Sequence, residues 1–241
     1  MQNADAYSVK PIFCQTQCYR LPLSGRQIKI VKMNKEQTNK LLSMYREFDQ
    51  RETMRHFMPV EWNGKKWCAA TEGYHFILIP ENDENKLEEP PCKTVDIATV
   101  VPEFNCITEI SISNLKSTFE SIPMVNKEIT EECEACEGDK KFEHYGEWYD
   151  CKTCDEKGVV GIGKFENVKD PNTAIKIGLA TFVSRFIKTL INVIDYTNCQ
   201  RLEIRYQKET GVTIFELGNQ ILIGIASKYE LYDNENVVTV A

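Results

Sequence analysis

Residues 66–79 read Lys-Trp-Cys-Ala-Ala-Thr-Glu-Gly-Tyr-His-Phe-Ile-Leu-Ile, and Pro80 closes the run. Lys66 to Thr71 and Tyr74 to Ile79 flank Glu72-Gly73, the pattern of two strands joined by a turn. Immediately upstream, Asn63-Gly64 separates this stretch from a further strand-like run, His56 to Trp62. Asn-Gly between two such runs is a strong hairpin signal, because both residues accept the positive φ that a two-residue turn demands. Before them lies a helical pattern from about Asn34 to Asp49, with Asn34 as N-cap and Leu41, Leu42, Tyr45 and Phe48 as its apolar stripe. A short strand, Gln27 to Met33, leads into that helix. The order is β-α-β-β-β.

The same order returns near the other end of the chain. Ile28-Lys29-Ile30 recurs as Ile175-Lys176-Ile177, and the helix stripe Leu41, Leu42, Tyr45 is echoed by Leu190, Ile191, Ile194. The hairpin that carries Ile77-Leu78-Ile79 is echoed by one that carries Ile221-Leu222-Ile223. The second copy reads as a strand at Ala174 to Ile177, a helix at Ala180 to Asp195, and strands at Arg201 to Tyr206, Val212 to Leu217 and Gln220 to Ile225. Chance likeness of two α+β blocks is the competing reading. Five elements in one order, with glycine turns in matching places, favour a true repeat. Between the copies, residues 81–91 read as a solvated acidic connector. Ile107 to Ile122, with a helix from about Ser113, reads as the start of a third, shorter copy. Residues 1–27 read as irregular, and the tail from Lys228 as partly ordered at most.

At Ala69-Ala70-Thr71-Glu72-Gly73-Tyr74-His75-Phe76 the chain resembles the Ala-Thr-Asp-Gly-His-Arg-Leu segment of bacterial DNA sliding clamps, the polymerase III beta subunits. Glu72 stands where those clamps have Asp, and His75-Phe76 where they have Arg-Leu; His75, on a strand of this hairpin, reads as half-exposed. Leu179 to Ala226 is similar to their last repeat. The resemblance implies an α+β fold of clamp-like β-α-β-β-β repeats and a ring formed by self-association. It also implies non-specific contact with double-stranded DNA, and a DNA polymerase or other replication protein as partner. The chain is shorter than three full clamp domains, and it carries a cysteine module that standard clamps lack.

That module is Cys133-x2-Cys136, fourteen residues, then Cys151-x2-Cys154. Each pair offers two thiolates from one tight knuckle, and two knuckles complete a tetrahedral four-sulfur shell, so the spacing points to one structural zinc ion with no open position for catalysis. Lys140 to Trp148 reads as a hairpin between the knuckles, with Gly146 near its turn. Gly138 and Gly158 after the pairs are similar to the knuckles of DnaJ-type zinc modules. Redox Cys-x-x-Cys chemistry and a ligand role for His144 are the competing readings. Cys14, Cys18, Cys68, Cys92, Cys106 and Cys199 are scattered and read as non-ligands, mostly buried. The division expected is 1–129 as a first repeat region, 130–160 as an inserted zinc-ribbon-like hairpin, and 161–241 as the last repeat.

With 42% hydrophobic and 27% charged residues the composition is that of a soluble globular chain. Its apolar runs are too short to cross a bilayer, and Met1 to Lys10 lacks the features of a signal peptide, so the expectation is a cytoplasmic protein without a membrane partner. A net charge of −7 argues against coating nucleic acid with the whole surface but leaves room for a local basic face. At 100° per residue, Lys32, Lys35 and Arg46 fall on one side of the first helix, and Arg185 and Lys188 lie opposite the apolar stripe of the last. These five cations are the candidate DNA-binding residues; the competing reading is ordinary solvation of an amphipathic helix. No phosphate loop, dinucleotide turn or nucleophile elbow is present, and no carboxylate pair suits acid–base work, so no catalytic residue is expected. Two functions follow. One is a sliding-clamp-like processivity factor; the other is a zinc-stabilised adaptor that keeps the fold and binds only proteins.

Overall fold

The computed structural model describes residues 32–45, 54, 56–90, 96–99, 101, 108–207, 211–218, 220–228 and 236–240. The expected strand before the first helix lies outside these residues except for Lys32 and Met33, as do Arg46, Cys14, Cys18, Cys92 and Cys106. Helix α1 spans Lys35–Ser43. Asn34 caps it reciprocally with Gln37: the Asn34 carboxamide oxygen accepts from the Gln37 amide, and the Gln37 side chain accepts from that of Asn34. The helix ends before Met44, earlier than the expected Asp49.

Three strands follow as anticipated: β1 (Met58–Trp62), β2 (Lys65–Thr71) and β3 (His75–Pro80). Asn63 and Gly64 take φ of 53° and 69°, which gives the two-residue turn between β1 and β2 its positive-φ pair. A short strand β4 (Thr108–Ile110) runs into α2 (Ile112–Glu120), whose N-cap is Ser111. Next come β5 (Met124–Glu132), β6 (Lys141–His144), β7 (Glu147–Asp150) and β8 (Val159–Lys169).

The second repeat opens with β9 (Ala174–Ile177). Ala180–Val183, expected to start a helix, is instead strand β10, paired antiparallel to β9 across the Gly178-Leu179 turn; helix α3 is Ser184–Tyr196. Strands β11 (Leu202–Tyr206), β12 (Val212–Leu217) and β13 (Leu222–Ala226) complete the copy. Among the described residues near the C-terminus a further strand, β14 (Val237–Val240), pairs parallel with β9.

The two copies meet inside one sheet of order β1-β2-β3-β13-β12-β11-β4. β3 pairs antiparallel with β13, and Leu78 lies opposite Leu222, its own counterpart in the repeat. A strand pair in which equivalent residues face each other has a local two-fold axis between them, and on either side of it the strand order β3-β2-β1 is matched by β13-β12-β11. Alternate side chains along each strand enter different layers. On one face Cys68, Ala70, Ile77, Ile79, Phe215 and Ile223 join a core with Leu41 and Leu42 of α1, Leu115 and Phe119 of α2, and Phe186, Ile187, Leu190, Val193 and Ile194 of α3. All three helices therefore share one layer. On the other face Trp67, Ala69, Phe76, Leu78 and Leu222 pack with Ile97, which belongs to a 3₁₀ turn at Ile97–Thr99.

Two sequence readings are corrected in this core. His75, expected to be half-exposed, is buried between the rings of Tyr45 and Phe186, at 4.6 and 4.8 Å, with the Glu72 carboxylate 2.6 Å from its Nδ1. The acidic connector is not wholly solvated either. Asn85 is fully buried; its amide donates to Thr38 Oγ1 and the Pro80 carbonyl, which ties the connector beneath α1. No helix among the described residues is long and apolar enough to cross a membrane.

Candidate functional site

Strands β5 and β8 form a two-stranded ribbon of their own, with most of its residues exposed and none buried. At its end the chain makes two knuckles, and the small hairpin β6–β7 lies between them. In the first knuckle the Cys136 and Gly138 amides both donate to the Cys133 carbonyl; in the second the Glu156 amide donates to the Cys151 carbonyl and the Lys157 amide to that of Cys154. The two are tied together by Cys133 N–H to the Gly158 carbonyl and Cys151 N–H to the Lys140 carbonyl, each at 2.9 Å. The knuckle turns run through positive φ at Glu137, Gly138, Asp155, Glu156 and Gly158. At Gly158 glycine is required on two counts: φ is 76°, and a Cβ would collide with the Gly138 carbonyl oxygen.

This backbone brings Cys133, Cys136, Cys151 and Cys154 together, all buried, with their Sγ atoms within 4.8 Å of one another. Cys133 and Cys151 sulfurs are 3.8 Å apart, and those of Cys136 and Cys154 3.7 Å. A tetrahedral four-sulfur shell with metal–sulfur bonds of about 2.3 Å places its sulfurs about 3.8 Å apart. The four thiols thus fit a single metal ion, and at these separations they are free cysteines, not disulfides. Amide groups aim at the sulfurs as well. Gly158 N–H donates to Cys154 Sγ at 3.3 Å. At Cys151 burial would raise the thiol pKa, but the backbone N–H groups of Cys154 and Thr153 and the thiols of Cys154 and Cys136 outweigh it and bring it down to about 6. Cys136 goes the other way: burial and the crowding of neighbouring thiols push it up to about 12. A cation would relieve that crowding, because thiolates are the ligating form. His144 sits on β6 and is not part of this group. Cys68, outside it, donates to the Asn85 carbonyl, and burial pushes its thiol up to about 12, as suits a core residue.

Four of the five candidate DNA-binding cations are described, and all four are exposed. The sequence places Lys32 on the first helix, but it precedes the Asn34 N-cap and so lies outside α1, while Lys35 is the first residue of that helix. Arg185 and Lys188 are on α3, whose buried side carries Phe186, Ile187, Leu190 and Val193. Arg46 lies outside the described residues. Lys35 stands 4.0 Å from Glu88, an exposed pair that water and salt largely screen. Lys40, which the sequence reading did not single out, places its ammonium 4.8 Å from the centre of the Tyr196 ring and so links the outer sides of α1 and α3. Lys116 on α2 pairs with Asp195 of α3.

Neither the comparison with protein-family models nor that with curated proteins gives a match. The solved structures to which the chain is similar are bacterial DNA polymerase III beta sliding clamps. With the Caulobacter crescentus clamp it shares 9% identity over 82% of this chain and 64% of that one, at a TM-score of 0.46. With the Thermotoga maritima beta subunit the figures are 11%, 86% and 69%, at 0.45. With the Pseudomonas aeruginosa beta subunit they are 9%, 82% and 66%, at 0.43. The chain spans just under two thirds of the length of the Caulobacter clamp.

Proposed function

We propose that this chain is a non-catalytic, cytoplasmic, sliding-clamp-like processivity factor that holds double-stranded DNA without sequence preference. The observation that carries the reading is the local two-fold at Leu78/Leu222, which sets α1 and α3 in one layer with Lys32, Lys35, Arg185 and Lys188 exposed. Exposed cations on a helical face suit the phosphate backbone: they release counterions, read no base edges, and leave the duplex free to slide. The clamp-like segment Ala69–Phe76 supports the same reading, with a homo-oligomeric ring and a polymerase or other replication protein as partners. In this reading one zinc ion is held by Cys133, Cys136, Cys151 and Cys154, and the unit 130–160 is an insertion between the repeat regions 1–129 and 161–241.

Zinc with four thiolates is closed to water and substrate, so it supplies folding energy only. The chain's own part is to pre-form the knuckles through amide–carbonyl bonds and to aim N–H groups at the sulfurs. A second reading, a protein-binding adaptor on the same fold, is favoured by the acidity of the inserted unit. Light scattering across a concentration range separates the two. A dimer or trimer of the zinc-loaded protein supports a ring, and a monomer at every concentration supports the adaptor.

A further inference from the structure

The chain's negative charge is concentrated in one place. Between Thr130 and Gly158 there are ten Asp and Glu residues against four Lys, a net of −6, whereas the whole chain carries −7. The same segment displays aromatic side chains that no core requires. Tyr145 is 95% exposed, Trp148 66%, Tyr149 44% and Phe142 41%.

The β6–β7 register sorts these groups onto two faces, because directly opposed residues share a face. Phe142 lies opposite Tyr149, and His144 opposite Glu147. On this face the Phe142 and Tyr149 rings stack at 6.1 Å, His144 continues the row to Tyr149 at 6.4 Å and to Tyr145 at 4.3 Å, and the Tyr149 hydroxyl donates to the Glu147 carboxylate. Trp148 occupies the other face with Glu143 opposite it. Glu147 thus stands among the rings of the first face and Glu143 beside the ring of the second, where Asp150 pairs with Lys141 at 3.2 Å.

The turn residue is telling. Tyr145-Gly146 takes φ of 54° and 81°, nearly the conformation of Asn63-Gly64 in the first hairpin. The chain uses asparagine at the equivalent place there, which adopts positive φ readily, and places a tyrosine here, which does not. The turn geometry does not call for that ring, and it is almost fully exposed.

Exposed aromatics suit two kinds of ligand, and the sign of the charge decides between them. Bases stack on such rings only where a cationic groove tracks the phosphates; an acidic tip repels phosphates and anionic lipid alike. Guanidinium and ammonium groups sit over aromatic faces and pair with carboxylates. We infer that the hairpin tip at 141–150 is a docking surface for an Arg- or Lys-rich segment of a partner protein that wraps the tip, meeting Phe142 and Tyr149 on one face, Tyr145 at the turn and Trp148 on the other face, and steered by the surrounding carboxylates. The inference rests on the four-cysteine site keeping the knuckles closed, and it holds for either function proposed above.

The test uses the full, zinc-loaded chain and a short fluorescent peptide of alternating Arg and Ala, read by anisotropy, beside a Glu–Ala peptide and a labelled DNA duplex. The basic peptide should bind, and each of Tyr145→Asn and Trp148→Ala should weaken it about tenfold. Tyr145→Asn suits the turn better than the native residue, so its effect is on recognition and not on folding. Unchanged zinc content and hydrogen exchange in that variant show that the metal site stands whatever the binding result. The inference is overturned if the basic peptide does not bind, if both variants bind it as well as the parent, or if the Glu–Ala peptide competes equally. Loss of DNA binding, or of a self-associated species, in Tyr145→Asn would overturn it in favour of nucleic acid or a second copy.

Discussion

Replacing Cys136 by Ser tests the metal centre and its independence from the rest of the fold together. The hydroxyl that remains is a poor ligand at neutral pH, so one corner of the tetrahedron is lost. Structural zinc sites of this kind bind with about 10–16 kcal/mol at neutral pH. One ligand in four then accounts for about 3–4 kcal/mol, a 100- to 1000-fold fall in affinity. The effect should stay local. The two main hydrophobic clusters draw on no residue between Ile122 and Ile175, and around the four cysteines the only apolar companion among the described residues is Val160. Competition against a chromogenic chelator reads the affinity, and hydrogen exchange reads the reach of the damage. Amides in 130–158 should exchange freely, while those of β3, β12 and β13 keep their protection. Undiminished zinc affinity would refute the four-thiolate shell, and loss of protection in the central sheet would refute the separation of the inserted unit.

Two further substitutions probe particular contacts. Gly158→Ala adds a methyl against the Gly138 carbonyl at a positive φ, and should cost the knuckle about 1–3 kcal/mol, seen as weaker zinc retention. Glu72→Ala removes the carboxylate beside His75 where both side chains are 5% exposed, and should lower global stability by about 2–4 kcal/mol in urea unfolding. A change under 1 kcal/mol would mean that the pair is not a structural tie.

Much of this was legible in the chain because the signals were local. Asn63-Gly64 announces its own turn, and two Cys-x-x-Cys pairs fourteen residues apart announce a four-cysteine cluster. The repeat was legible because both copies keep the same apolar spacing, and the Leu78/Leu222 pairing shows why: equivalent residues serve the same core across one axis. What escaped depends on distant partners. The helix at Ser184 has Val183 as N-cap with no side-chain cap bond, so its start carried no sequence mark, and Ala180–Val183 became a strand through pairing with β9. β14 is a strand because β9 lies beside it, about sixty residues earlier in the chain. Burial of Asn85 and His75 was hidden for a related reason. A polar residue enters a core only when partners meet it there, and those partners, Thr38 for one and Tyr45 with Phe186 for the other, come from different elements.

The central claim is that the outer faces of α1 and α3 hold DNA by charge alone. Its most direct test is duplex binding measured across a salt series for the parent chain and for a variant carrying Arg185→Glu and Lys188→Glu. Each phosphate contact contributes about 0.9 to the slope of log affinity against log salt, so the variant should bind more weakly at every salt concentration, with a slope smaller by about two. A variant that binds the duplex with the parent's affinity and the parent's slope would contradict the claim and leave the adaptor reading in its place.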